Sequence, residues 1–122
     1  MAVRRLHNSH EIHNVFAARN AAHGRLMSVH GRRTDDPTAS TRVAVVGGRD
    51  VGNAVRRNRA KRRLRAAVQH ATLPAGFDFV ARAKAGAVEA DFTLVQAELG
   101  RLVARVALRD GPSAATRAQE ER

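Results

Sequence analysis

Between Arg56 and Arg65, seven of ten residues are Arg or Lys and none is acidic. Charge at that density repels itself, yet small and aliphatic residues run through it at one spacing. Ala60, Leu64, Ala67, Val68 and Ala71 recur at i, i+4, i+7, i+8 and i+11, which on a 3.6-residue period is a single narrow stripe. Arg56, Arg59, Lys61, Arg62, Arg63 and Arg65 spread over the opposite arc together with Asn58. Arg57 falls at the stripe's edge, where its stem can lie on the core with its head in water. The segment therefore reads as a surface helix that packs by small residues and shows solvent a broad cationic face. Like charges at i, i+3 and i+4 cost roughly a few tenths of a kcal/mol per pair, and ordinary solvated faces interleave both signs. A face of one sign is suited to phosphate.

The rest of the chain supports that partner. Its 122 residues make one domain, and 22 basic against 11 acidic side chains give a net charge of +11. Such a field points to nucleic acid first and an anionic membrane surface second. Only Lys61 and Lys84 are Lys; Arg grips phosphate bidentately and stacks on bases, although genomic base composition accounts for the ratio equally well. With 43% hydrophobic residues the chain has a core to bury. With four Phe and no Tyr or Trp, that core must be built from Val, Leu, Ala and those few Phe. No Cys is present, which excludes disulfides, thiolate nucleophiles and Cys-based zinc sites. No apolar run approaches the ~18 residues of a membrane span. The Arg-containing, amphipathic start of the chain carries Glu11 and a core-helix periodicity, unlike an import sequence, so a cytoplasmic protein without a membrane partner is expected.

Along the chain, Asn8 or Ser9 can cap a first helix, with Glu11 in capping-box position; Ile12, Val15, Phe16 and Arg19 follow at helical spacing, and Gly24 punctuates. Arg25 to His30 alternates as a strand, Met27 and Val29 opposite Ser28 and His30. Gly31 to Ser40 has the chemistry of an exposed loop. Thr41 to Gly48 reads as a strand buried on both faces, followed by a Gly-rich connection into the basic helix. Leu73 to Gly76 breaks the chain, and Phe77 to Ala83 forms a third strand with Phe77 and Phe79 on one side. From Glu89 or Asp91 a last helix carries Phe92, Val95, Leu99, Leu102, Val103 and Val106 on one face, weakened at Gly100 by roughly 1 kcal/mol. The folded domain spans 1–109, and 110–122 reads as a disordered tail. Helices at both ends with strands between them give an α+β class.

The stretch that opens the basic helix is Gly52-Asn53-Ala54-Val55, then Arg57-Asn58-Arg59, Lys61-Arg62 and Arg65. These ten positions at fixed spacing resemble the signature of the bacterial ribonuclease P protein-subunit family. Arg5-Leu6, the "EIHNVF" of the first helix, "RVAVV" and "FDFVARA" extend the likeness from about Arg5 to Val106. The resemblance implies a compact α/β sandwich, with three helices on a mixed four-stranded sheet and a left-handed crossover.

It also implies a function: binding the catalytic RNA of ribonuclease P, one to one, and the 5′ leader of precursor tRNA. Removal of the leader would depend on Mg2+ held mainly by the RNA, with no protein side chain catalytic. RNA contacts would fall to Arg49, Asn53, Arg56, Arg57, Asn58, Arg59, Lys61, Arg62 and Arg65. The leader would lie in a cleft at Ile12, Phe16 and His30. Ile12 stands where the family usually has Phe and His30 where it often has an aromatic, while Arg49-Asp50 replaces a common Lys pair. The first two differences alter how bases would stack in the leader cleft, and the third removes one cation beside the basic helix.

The remaining chemistry is sparse. A protein nuclease needs paired carboxylates or a base set against a nucleophile, and Asp35-Asp36 is a solvated pair in a turn. His10 and His13 share a helix face near His7 but lack a third ligand. The "VGGRDVG" stretch lacks the GK[ST] ending of a phosphate-binding loop. The competing readings are a ribosomal-type structural RNA-binding protein and a self-sufficient nuclease.

Overall fold

The structure, a computed structural model, describes residues 4–109; the proposed tail, 110–122, lies outside the described residues. Within them, five strands and three helices follow in the order β1 (Arg4–Arg5), α1 (Ser9–Ala17), β2 (Ala21–His23), β3 (Met27–Arg33), β4 (Arg42–Gly47), α2 (Ala54–His70), β5 (Phe77–Ala83) and α3 (Phe92–Arg109). Short 3-10 turns at Arg49–Val51 and Ala85–Val88 lead out of β4 and β5.

The sheet runs β1-β4-β5-β3-β2. β5 is central, parallel to β4 with Val43 opposite Phe79, and antiparallel to β3 with Val29 opposite Ala81. The sheet is mixed, as expected, but it has five strands and not four. The additions are both short: β1 pairs parallel with β4 through Arg4 and Arg5, and β2 pairs antiparallel with β3. Segments of two and three residues cannot display a two-residue period, so only their neighbours reveal them.

Strand alternation sorts the core into two layers. Phe77, Phe79, Ala81 and Ala83 of β5, with Met27, Val29 and Val43, meet the apolar faces of α2 and α3. Ala44 and Val80 face the other way, onto Leu6 and Val15 beneath α1, with Ile12 and Phe16 packed around them. Val43 and Ala44 are both buried, as the unbroken apolar run of β4 requires. α3 buries Val95, Leu99, Leu102, Val103 and Val106, while Gly100 is exposed with open space around it.

Several local readings change. β3 continues through Gly31, Arg32 and Arg33, placed in a loop by their turn-like composition, because they pair with Phe79, Asp78 and Phe77. Gly31 is required there, since a Cβ would lie 2.4 Å from Val106 Cγ1. α1 stops at Ala17 and does not reach Arg19, whose φ of 56° turns the chain into β2. Asn8 caps α1 by accepting from the His10 N–H at 2.8 Å, but the Glu11 carboxylate pairs with Arg42. Arg42 also grips buried Asp78 with two bonds, Nε to Oδ1 at 2.9 Å and Nη2 to Oδ2 at 2.7 Å. Hydrogen bonding to Asp78 holds the Arg42 guanidinium protonated well above the usual arginine range.

Candidate RNA-binding surface

α2 begins where Asn53 Oδ1 accepts from the Arg56 N–H at 2.9 Å. Ala60, Leu64, Ala67 and Val68 are its buried residues, the stripe that the spacing predicts, and Ala71 is partly buried at its end. Small side chains let the helix lie close to the sheet, which leaves the long cationic ones around its rim and crest.

The arginines of the rim divide into two groups. Arg56, Arg59 and Arg63, at i, i+3 and i+7, lean onto the connections before α2 and after β5. Arg56 Nε donates to Val51 O at 3.0 Å, Arg59 Nε to Val88 O at 3.1 Å and Arg63 Nη1 to Ala87 O at 2.7 Å. Arg63 also donates to Ala90 O, and Arg56 lies 3.6 Å from exposed Glu89. These three hold α2 to the body of the protein while neutralising carbonyl dipoles.

Arg57, Lys61, Arg62 and Arg65 behave differently. Within the described residues their side chains have no hydrogen bond or ion pair. Arg57 lays its stem against Gly47, where a Cβ would stand 3.2 Å from its Cγ, and carries its head outward. Arg62, Arg65 and Asn58 are exposed, and Lys61 is half-buried. Arg49 is exposed in the turn that precedes the helix. The predicted RNA-contact residues other than Arg49 thus share one element, but Asn53 serves as its cap and Arg56 and Arg59 are partly committed to backbone. The unpartnered cations are those along the crest and the β4 flank.

The opposite face of the sheet carries the second predicted site. Phe16 is half-buried and meets the His30 ring edge-on at 4.6 Å, with planes at 68°. It packs against the α1-side core with part of its surface left open beside the His30 ring. Ile12 lies one turn earlier in the same apolar cluster. His30 Nε2 stands 3.2 Å from Ser28 Oγ, and the His23 ring is 6.0 Å from that of His30. Burial, then the neighbouring His23 and Arg82, lower the His30 pKa, so its imidazole stays neutral further into acid than a free one. His23 and Arg82 went unremarked in the sequence. Alternation in β5 carries a signal for Arg82, because Asp78, Val80 and Arg82 oppose the face of Phe77 and Phe79. His23 gives none, as β2 is too short.

The acids are dispersed. Asp35 and Asp36 are exposed, and Asp36 Oδ1 accepts from both Thr38 N and Thr38 Oγ1 in a turn. Among the described residues no three His, Asp or Glu converge closely enough to hold a metal ion. No described helix is long and apolar enough to cross a membrane.

A basic helix with an outward cationic crest, set on a mixed sheet, therefore carries the signature read from the sequence. The family model described as ribonuclease P matches residues 2–107. The chain belongs to the ribonuclease P protein family. It is 36% identical over 104 residues to the ribonuclease P protein component of Acidothermus cellulolyticus, covering 84% of this chain and 87% of that protein. With the component from Bartonella quintana it shares 42% over 84 residues, 64% of this chain and 63% of the other. Among solved structures it is similar to the ribonuclease P protein of Thermotoga maritima, with a TM-score of 0.70 at 25% identity over 84% of this chain and 96% of that one. The Staphylococcus aureus ribonuclease P protein, at 20% identity, has the same fold, with a TM-score of 0.67 over 86% and 95% of the two chains. Membership sets aside the ribosomal-type reading: the chain serves as the protein component of ribonuclease P, a ribonuclease, and works with the ribonuclease P RNA.

Proposed function

We propose that the crest of α2 docks on the ribonuclease P RNA near its active site, and that the cleft under α1 receives the single-stranded 5′ leader of precursor tRNA. The observation that carries this reading is the row of cations without protein partners, Arg57, Lys61, Arg62 and Arg65, on a helix whose other arginines are tied to carbonyls. Cations left unpaired at i, i+4 spacing repel one another, and phosphate oxygens relieve that repulsion. Asn58 and Arg49 extend the surface. Asn53, Arg56 and Arg59 contribute chiefly by fixing the helix, with their remaining donors toward the RNA.

In the cleft, Phe16 and His30 offer ring faces to a base and Ile12 an aliphatic wall. The RNA carries the bond-breaking step and holds most of the Mg2+. Among the described residues the acids do not gather into a magnesium site: Glu11 and Asp78 are paired with Arg42, Glu98 with backbone N–H groups, and no three potential ligands converge. The protein's share is to grip the RNA, orient the leader and screen charge so that metal ions order at lower concentration. One protein per RNA, a single RNA-binding domain over 1–109, a cytoplasmic site of action and a left-handed β4–α2–β5 crossover complete the reading.

Reconstitution tests it. Adding the purified chain to a bacterial ribonuclease P RNA at low Mg2+ should restore removal of the leader from precursor tRNA, and the protein alone should release nothing. Failure to restore cleavage, or cleavage without RNA, would contradict it.

A further inference from the structure

A pocket of about 210 Å³ opens between the edge of the sheet and the last turns of α2, and none of the cleft residues belongs to it. Its walls are Val43 and Val45 of β4, Val68 of α2, Gln69, and the arginines Arg4, Arg5 and Arg65. Val43 and Val68 are buried and Val45 half-buried, so the floor is aliphatic and anchored in the core. Arg5 lies opposite Val43 in the parallel β1–β4 pair and so shares the α2 side of the sheet. Arg4, Arg5 and Arg65 are exposed, and within the described residues their side chains have no hydrogen bond or ion pair. Arg5 and Arg65 thus border an apolar recess whose lining contains no acid, while Arg4, one residue earlier in β1, belongs to the other face of the sheet.

Guanidinium heads around an aliphatic floor match the two halves of a nucleotide. The floor and the guanidinium planes take the flat base, and the Arg donors take its phosphate. The Gln69 side chain at the rim, with an amide donor and an acceptor, can reach a base edge. We propose that this pocket receives one unpaired nucleotide of the ribonuclease P RNA, its base over Val45 and Val68 and its phosphate between Arg5 and Arg65. The proposal rests on α2 lying on that RNA, since Arg65 belongs to both surfaces.

The test uses the full chain reconstituted with ribonuclease P RNA and precursor tRNA, probed nucleotide by nucleotide with a 2′-hydroxyl acylating reagent. Val45→Phe fills the pocket without changing charge, and Arg5→Ala removes one cation while leaving the floor. One nucleotide of ribonuclease P RNA, protected by the wild-type chain, should regain reactivity with either variant while the remaining protection persists. Affinity should fall about tenfold for Val45→Phe, on the scale of one lost base contact, with an unchanged salt slope. For Arg5→Ala the slope should flatten by about one unit. Unchanged protection with both variants folded, or a change confined to precursor tRNA, would overturn the pocket assignment. Arg5→Ala decides alone should Val45→Phe fail to fold. Absence of both protection and leader removal with the wild-type chain would instead defeat the reading of α2, and the pocket with it.

Discussion

Glu98 is buried on the apolar side of α3, yet its carboxylate is fully engaged. Oε1 accepts from Arg25 N at 2.9 Å, and Oε2 from Leu26 N at 2.7 Å and Met27 N at 3.1 Å. One side chain thus fastens the β2–β3 turn to the last helix, and Gly24 is required beside it because a Cβ would stand 2.4 Å from its Cδ. Replacing Glu98 by Ala strips three N–H groups of their acceptor and should destabilise the fold by about 3 kcal/mol or more, measured by denaturant unfolding. Glu98→Gln, which keeps one acceptor oxygen, should recover part of that loss. Nothing in the sequence marks this residue, since a Glu between Val95 and Leu99 looks like an ordinary interruption of an apolar stripe. His30 makes a second prediction at this scale. Its depressed pKa means that the unfolded chain takes up the proton first as pH falls. The stability its neutral ring contributes is therefore complete above the unfolded value near ~6.5 and is lost as pH drops below it. Thermal melts from about pH 7.5 down to about pH 5.5 should show Tm declining, with a shallower decline in His30→Phe.

At the scale of the element, α2 separates the arginines that fasten it to the body from the cations left without a partner. Arg63→Ala removes donors to Ala87 and Ala90 carbonyls, so it should lower thermal stability while leaving RNA affinity per folded molecule nearly unchanged. Asn53→Ala should cost about 1 kcal/mol through the lost cap. The buried stripe was legible because a 3.6-residue period is a property of the segment alone. The division of its arginines was not, because it depends on where the chain passes after β5, which brings the carbonyls of Ala87, Val88 and Ala90 within reach. The same limit explains β3. Gly31-Arg32-Arg33 has the composition of a turn, and only the pairing with Phe77–Phe79 makes it strand.

The whole molecule places the two proposed RNA-binding surfaces on opposite sides of one sheet, the α2 crest on one and the Phe16–His30 pair on the other. β4 and β5, buried in both directions, hold them in fixed relation. Ile12, Phe16 and His30 are grouped by the family resemblance alone, since no periodicity links a helix residue to a strand residue, and the fold brings the Phe16 and His30 rings into contact. Edge strands β1 and β2 were invisible for want of length, and with β1 the arginine-lined pocket beside it. The central claim is that unpaired cations on the α2 crest hold the RNA, and the salt dependence of affinity for ribonuclease P RNA tests it most directly. With about five phosphates neutralised, log K should fall against log salt with a slope of roughly −4. Arg62→Ala with Arg65→Ala should flatten it by about one to two units, whereas Arg63→Ala should leave it unchanged. A slope indifferent to Arg62 and Arg65, or one that responds to Arg63 instead, would contradict the account.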